Sequence, residues 1–292
     1  MDHLRSDIDA LPKRPGVYYF YRDDTLLYVG KSVDIKARVL SHCYAAKTDA
    51  KEQKLIGSAN SVICQVTPGE LGALLLESRE IKQRKPLYNR RLRRKVNLLS
   101  WHLSLADHVD DAQGSTEQTI ELAPHSWPPN DGIIQFGLYR NRYQATEDWK
   151  NLARDYDLCE KKMGVASNRG PGPCFAYQLK RCRGACVGEE RTTSHNDRLR
   201  KALAQKAGLA WPYQGAVAIV EREESGDKHY YVLEKWLMYG EASSLREARA
   251  LLQKRKNKRT SSAGVLLDLD EYRIVLSFLR SDKHSEIIPL EA

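Results

Sequence analysis

The chain has 292 residues, 41% hydrophobic and 29% charged, with a formal net charge of +9, so two domains with real cores are possible and a polyanionic partner is favoured. No apolar run approaches the ~18 residues that a membrane-spanning helix needs. The polar, acid-containing start, Met1-Asp2-His3-Leu4-Arg5-Ser6-Asp7, lacks the basic and apolar stretches of a secretory signal, and a cytoplasmic protein is expected.

Residues 10–92 read as one small α/β unit. Arg14-Pro15-Gly16 marks a turn, and the β-rich runs 17–21 and 26–29, parted by Arg22-Asp23-Asp24-Thr25, predict a hairpin. Ser32 is placed to cap a helix running through Ile35 and Val39 to about Cys43, and a third strand fits 62–66. A second helix is predicted from about Glu70 to Arg84, introduced by Pro68-Gly69 and ended by Pro86. From Arg79 to Lys95 there are nine Lys or Arg and one acid. Arg79, Lys82, Arg84, Lys85, Arg90, Arg91, Arg93, Arg94 and Lys95 are therefore candidate DNA-phosphate contacts, the alternative being a solvated face. A second basic run, residues 254–259, has the same two readings.

Residues 106–132 are polar and rich in Pro and Gly, including Trp127-Pro128-Pro129-Asn130-Asp131-Gly132, which predicts a long loop or linker. A short strand and turn over 136–143, a helix over 146–158 and another over 195–207 follow. Farther on, 216–222 and 229–233 flank a hairpin turn, and Ser244-x-x-Glu247 is a capping box that opens a helix. Residues 265–269 and 272–279 read as further strands.

Chemistry concentrates near the start. In the second helix Glu77 lies on the face of Leu74 and Ile81, where an acid is costly without a partner. Arg38 and His42, at i and i+4 of the first helix, suit a phosphodiester as a clamp and a proton carrier. Tyr18 and Tyr28 fall on adjacent strands, where aromatic packing is the default reading, and Lys31 follows closely.

Gly16-Val17-Tyr18, Tyr28-Val29-Gly30-Lys31, Arg38, Glu77 and Asn89 together resemble, in order and spacing, the GIY-YIG nuclease family. The resemblance implies a three-stranded antiparallel sheet among helices and a metal-dependent DNA endonuclease. Glu77 would then bind one Mg²⁺ or Mn²⁺, Tyr28 would take a proton from the attacking water, and Tyr18 would help position it. By the same carry-over Arg38 would neutralise the phosphate and Asn89 organise the site. A free phenol titrates near ~10, so a cation such as Lys31 is expected to lower Tyr28. His42 departs from the Tyr common in the UvrC branch and resembles restriction and homing enzymes, which leaves Tyr28 and His42 as rival bases.

Cys159, Cys174, Cys182 and Cys186, spaced x14, x7 and x3, favour metal over disulfides in a cytosolic chain, with packed thiols as the bland alternative. Their setting, from Gly172-Pro173-Cys174-Phe175 to Cys186-Val187-Gly188, resembles the segment that follows the nuclease domain in UvrC proteins, as does Phe136-Gly137-Leu138-Tyr139. That resemblance implies a [4Fe–4S] cluster; Cys₄ zinc is the alternative. Cys43 and Cys64 stand apart and are expected in the core. A chain that ends soon afterwards leaves no room for the second nuclease domain of full-length UvrC, and resembles the family's short members. Those imply incision 3′ of a lesion in damaged double-stranded DNA during nucleotide excision repair, on a substrate carrying the partner UvrB.

The expectation is thus an α+β protein: a GIY-YIG domain over 10–95, a linker and helical connector over 96–158, a cysteine-cluster segment over 159–190, and a helix with a small α+β unit over 191–292. Two rival functions remain at this point. A self-sufficient structure-selective or restriction-like nuclease would cut naked DNA, and a DNA-binding scaffold with a degenerate nuclease fold would have lost Glu77, Arg38 or Tyr28.

Overall fold

A short helix, α1 (Arg5–Ala10), leads into the hairpin of β1 (Gly16–Arg22) and β2 (Thr25–Ser32), where Asp23 takes a left-handed φ of 53° at the turn. Then come α2 (Ile35–Ala45), α3 (Ala50–Ser58), β3 (Ser61–Val66) and α4 (Glu70–Arg84). The computed structural model describes residues 2–94, 96–110, 115–127, 133–166, 170–205, 211–258, 265–281 and 286–290. Two compact units emerge: Met1–Val96, Tyr213–Lys258 and Asp268–Ala292 form one, and Asn97–Pro212 with Arg259–Leu267 the other.

The first sheet is antiparallel, ordered β2-β1-β3, as the resemblance implied. Alternation along β1 sends Tyr18 and Phe20 into a core with Ile8, Ile35, Val39, Leu55 and Ile56, while Val17 and Tyr19 face Ile81 of α4. Cys43 lies in that core and Cys64 packs against it. Ser32 does not cap α2 but ends β2; the cap is Asp34, which accepts from Ala37 N at 2.9 Å. Edge strand β2 is closed over Leu26 to Val29 by the segment that follows α4. Leu26 O accepts from Leu87 N at 3.3 Å, Leu27 O accepts from Tyr88 N at 2.8 Å, and Val29 N and O both pair with the Asn89 amide at 2.9 Å.

In the second unit the expected linker is a sheet. Strands β4 (Leu99–Asp110), β5 (Ser115–Pro124) and β7 (Ile133–Tyr139), with a short β6 (Ser126–Trp127) between, pair in the order β5-β4-β7. Polarity was a poor guide because Ser100 and His102 are buried beside Trp101 and Leu103, so both faces of β4 are covered there. Residues 128–132 of the Pro-rich stretch lie outside the described residues. Helix α5 (Arg142–Asp155) begins earlier than expected because Asn141 caps it, accepting from Gln144 N at 2.9 Å. Its Trp149 stacks on Trp101 with ring centroids 4.8 Å apart. Helices α6 (Phe175–Gln178) and α7 (Thr192–Gln205) follow, the second packing Leu199, Ala202 and Leu203 into the same core.

Returning to the first unit, β8 (Val217–Arg222), β9 (Lys228–Glu234) and β10 (Leu237–Ala242) are succeeded by α8 (Leu245–Lys258). Ser244 Oγ accepts from Glu247 N at 3.2 Å, but the return bond of Glu247 goes to Ser243. A short β11 (Val265–Leu266) pairs with β6. Residues 272–279 are not a strand. They belong to helix α9 (Leu269–Arg280), because Asp268 caps Asp270 N and Glu271 N while Leu269, Tyr272, Val275 and Phe278 bury one stripe at helical spacing. Strand β12 (Glu286–Pro289) completes a sheet ordered β10-β9-β8-β12. No helix among the described residues is long and apolar enough to cross a membrane.

Candidate active site

Tyr18, buried to 1% exposure, stands at the centre of a polar chain. Its hydroxyl lies 2.7 Å from His42 Nε2, and His42 Nδ1 lies 2.7 Å from Glu52 Oε2. Gly30 makes room for this, since a Cβ there would stand 2.3 Å from the Tyr18 hydroxyl. Tyr28, half-buried, closes the group, its ring centroid 6.2 Å from Tyr18 and 5.6 Å from His42. Burial raises both phenols, Tyr18 well above the ordinary range, and each also feels the Glu77 charge. Arg38 opposes this for both.

Lys31 does not play the part expected of it. Its Nζ lies 3.4 Å from Glu70 Oε1, and the cation acting on Tyr28 is Arg38. Glu77 sits at the margin of the buried α4 stripe of Leu71, Leu75, Ser78 and Ile81. Burial raises its carboxyl pKa, against the charge of Lys31, that residue's backbone N–H and the charge of Arg38. It enters no ion pair among the described residues. Asn89, 8% exposed, is held against Val29 at the β2 edge.

The basic strip divides. Arg79 pairs with Glu241 at 2.7 Å, Lys82 with Asp268 and Asp270, and Arg84 with Glu80 and the Tyr21 hydroxyl while lying over the Tyr19 and Tyr21 rings. These three are engaged within the protein. Lys85 is exposed at the α4 C-cap with φ 50°, and Arg90, Arg91, Arg93 and Arg94 are exposed and outside any ion pair among the described residues. Lys95 and Arg259 lie outside the described residues.

In the second unit the cysteines converge. Cys159 Sγ is 3.9 Å from Cys174 Sγ, which is 3.5 Å from Cys182 Sγ, and the three ligand atoms lie within 4.8 Å of one another. Cys186 Sγ joins them, accepting from Cys174 N at 3.4 Å. Gly184, at φ +81°, permits the tight turn between the last two; a Cβ there would stand 2.9 Å from Glu189 and Tyr177 side chains. Burial pushes Cys159 up to about 12 and Cys182 up to about 11. For Cys174, burial is outweighed by hydrogen bonds from Tyr177 N and the neighbouring thiols, and its pKa falls.

Family profiles match three consecutive parts of the chain: the UvrC-like GIY-YIG domain over residues 14–90, the UvrC/Cho excinuclease middle domain over 115–205 and the excinuclease Cho C-terminal domain over 216–292. The excinuclease Cho of Escherichia coli K12 is 37% identical over 292 residues, spanning 99% of this chain and 90% of that protein. The chain belongs to the Cho excinuclease family. Another Cho protein, from Salmonella typhi, is 37% identical over 296 residues. The UvrABC system protein C of Natronomonas pharaonis is 30% identical over 68% of this chain but 32% of its own length. The GIY-YIG N-terminal endonuclease domain of UvrC from Thermotoga maritima, solved with magnesium as its catalytic divalent cation, aligns at 28% identity over 30% of this chain and 98% of that one, with a TM-score of 0.29.

Membership in the Cho family makes the protein a GIY-YIG endonuclease, and the matched residues 14–90 bring together Tyr18, Tyr28, Arg38, His42, Glu77 and Asn89. One residue in this Cho-family site escaped sequence reasoning. Glu52 follows Asp49 by three positions in a capping pattern, and Asp49 does cap α3 through Lys51 N and Glu52 N. That pattern marks a helix start; only the fold shows Glu52 bonded to His42.

Proposed function

We propose that this enzyme cuts one strand of damaged double-stranded DNA on the 3′ side of the lesion during nucleotide excision repair, on a substrate already carrying UvrB. The observation that carries the nuclease chemistry is the gathering of Tyr28, Arg38 and Glu77 around one edge of the sheet. Repair and its partner are supported by membership in the Cho family. The test is to incubate 5′-labelled lesion-bearing duplex with the protein, with and without UvrB, and map the cut. A cut 3′ of the lesion that requires UvrB is expected. Sequence-defined cutting of naked duplex would instead support a restriction-like enzyme.

Glu77 fits a divalent cation, being a partly buried carboxylate outside any ion pair among the described residues, and its oxygen donors suit Mg²⁺ or Mn²⁺ completed by water. A cation held there would polarise the scissile phosphate and cancel the carboxylate charge that raises Tyr28. Arg38 neutralises charge on the phosphate. Tyr28, the less buried phenol, faces the attacking water; His42, at 4% exposure with both ring nitrogens engaged, does not. Tyr28 therefore takes the proton of the water while passing its own to Tyr18, and Tyr18 passes its proton to His42 Nε2. Glu52 stabilises the resulting imidazolium. Glu52→Gln should lower kcat about 100-fold with little change in KM, in the range of general acid–base effects. An unchanged kcat would remove His42 and Glu52 from the proton path.

For DNA, Arg90, Arg91, Arg93 and Arg94 are exposed and outside any ion pair among the described residues, with Lys85, whose carbonyl accepts from Arg93, beside them. Neutralising Arg90, Arg91 and Arg93 should weaken binding for all sequences alike and flatten the salt dependence by roughly 0.9 per lost contact. A salt titration with an unaltered slope would make them solvated bystanders.

The four thiols support a structural metal centre. Among three of them, the separations of 3.9 Å from Cys159 to Cys174 and 3.5 Å from Cys174 to Cys182 are close to the ~3.8 Å edge of a tetrahedron with ~2.3 Å bonds to zinc. The [4Fe–4S] cluster implied by the UvrC resemblance binds each thiolate to a different iron and would require the sulfurs to move apart.

A further inference from the structure

Helix α4 carries Glu77, yet its own N-terminus has no side-chain cap, since Gly69 stands at that position. Its first free amides are met from a residue 150 positions away. Glu221 on β8 accepts from Leu71 N at 2.7 Å through Oε1 and from Gly72 N at 3.0 Å through Oε2, and it is 8% exposed. The seat is shaped for this carboxylate. A Cβ at Gly69 would stand 2.4 Å from Glu221 Oε1, and one at Gly72 would stand 2.2 Å from the Tyr231 hydroxyl. Register places Ile219 opposite Tyr231 and Glu221 opposite His229, so Glu221 and Tyr231 share one sheet face, the face turned to α4.

Two more ties grip the same helix beyond Glu77. Arg79 meets Glu241 of β10 at 2.7 Å, and Lys82 meets Asp268 at 2.6 Å and Asp270 at 3.0 Å, at the start of α9. Glu77 thus lies between an anionic cap at one end and two ion-paired cations toward the other. A carboxylate at a helix N-terminus satisfies orphan N–H groups and faces the positive end of the helix dipole. A slip of one residue along α4 would move the Glu77 Cα by ~1.5 Å and rotate it by ~100°. Catalytic geometry tolerates about 0.5 Å.

We propose that the C-terminal part of the chain positions the nuclease site: Glu221, by capping α4 across the fold, fixes the height and rotation of that helix and so holds Glu77 at the β2 edge in the pose that takes a cation. Glu221 is a positioning residue, and the inference rests on the reading of Glu77 as the metal ligand.

The test uses the full chain without DNA. Mn²⁺ affinity is measured by electron paramagnetic resonance of the free ion, and amide exchange is followed along α4. Glu221→Gln keeps the side chain's shape but removes its charge and turns an amide group toward the helix N–H groups. It should weaken Mn²⁺ binding about tenfold, as loss of a ligand-orienting partner does, and speed exchange at Leu71 and Gly72. Saturating metal should restore cutting, which a merely misfolded protein would not show. Glu221→Asp keeps the charge on a shorter arm and should give a smaller loss; it decides the matter if the Gln variant does not fold. Glu286→Gln, which breaks the exposed pairs with Arg222 and Lys228 in the same sheet, should leave Mn²⁺ affinity unchanged. If Glu77→Ala abolishes Mn²⁺ binding while the folded Glu221 variants bind as wild type, the positioning role is overturned alone. If Mn²⁺ binding is indifferent to Glu77→Ala, the metal reading falls and this one with it.

Discussion

Glu77→Ala should reduce DNA cutting about a thousandfold while DNA binding persists. A metal that stabilises the transition state contributes several kcal/mol, and each tenfold in rate corresponds to about 1.4 kcal/mol. The exposed arginines at 90, 91, 93 and 94 are untouched by the change, so the affinity for duplex should stay within a small factor of wild type. Fold should survive as well, because Glu77 lies at the margin of the α4 stripe and outside any ion pair among the described residues. Single-turnover cutting and filter binding on the same preparation separate the two effects. A variant that keeps more than about a tenth of the wild-type rate would sink the assignment of Glu77 as the metal ligand.

Cys182→Ser should have the largest effect on stability. Cys159, Cys174 and Cys182 place their sulfurs within 4.8 Å of one another with Cys186 beside them, and a metal held there would crosslink distant parts of the chain, a kind of site that contributes on the order of 10 kcal/mol to folding. With one ligand lost, the segment from Cys159 to Cys186 should become the first target of limited proteolysis, and metal content should fall. Metal analysis of anaerobically prepared wild-type protein identifies the occupant. Iron with a brown colour assigns the cluster, and zinc without colour assigns the single tetrahedral ion. Protein with neither metal, together with a variant as protease-resistant as wild type, would return the four cysteines to the status of packed thiols.

Legibility in the sequence followed the range of the interactions. The first hairpin and α4 rest on turn residues and breakers a few positions apart, and both lie close to where the pattern put them. The candidate site residues were chosen because the motif keeps their order. Strand β4 was hidden, since its Ser100 and His102 face a buried partner that no local pattern reveals. Helix α9 was misread because Tyr272, Ile274, Val275 and Phe278 are β-prone residues, and the Asp268 cap with its apolar stripe overrode that propensity. Glu52 and Glu221 bond to partners 10 and about 150 positions away, so no local pattern marks either. The tuning of Tyr28 was assigned to Lys31 on nearness in sequence, whereas the fold turns Lys31 toward Glu70 and Arg38 toward the phenols.

The closed margin of β2 bears on how Asn89 variants should be interpreted. Asn89 behaves as a one-residue substitute for a neighbouring strand, filling the donor and acceptor of Val29 where another chain could otherwise pair. Removing its amide leaves the donor and acceptor of Val29 open beside the contact made by Tyr88. That gap is a template for self-association. Lost turnover in such a variant would therefore mix a chemical defect with the withdrawal of enzyme into oligomers, and only protein shown to be monomeric in the sedimentation cell reports on catalysis alone.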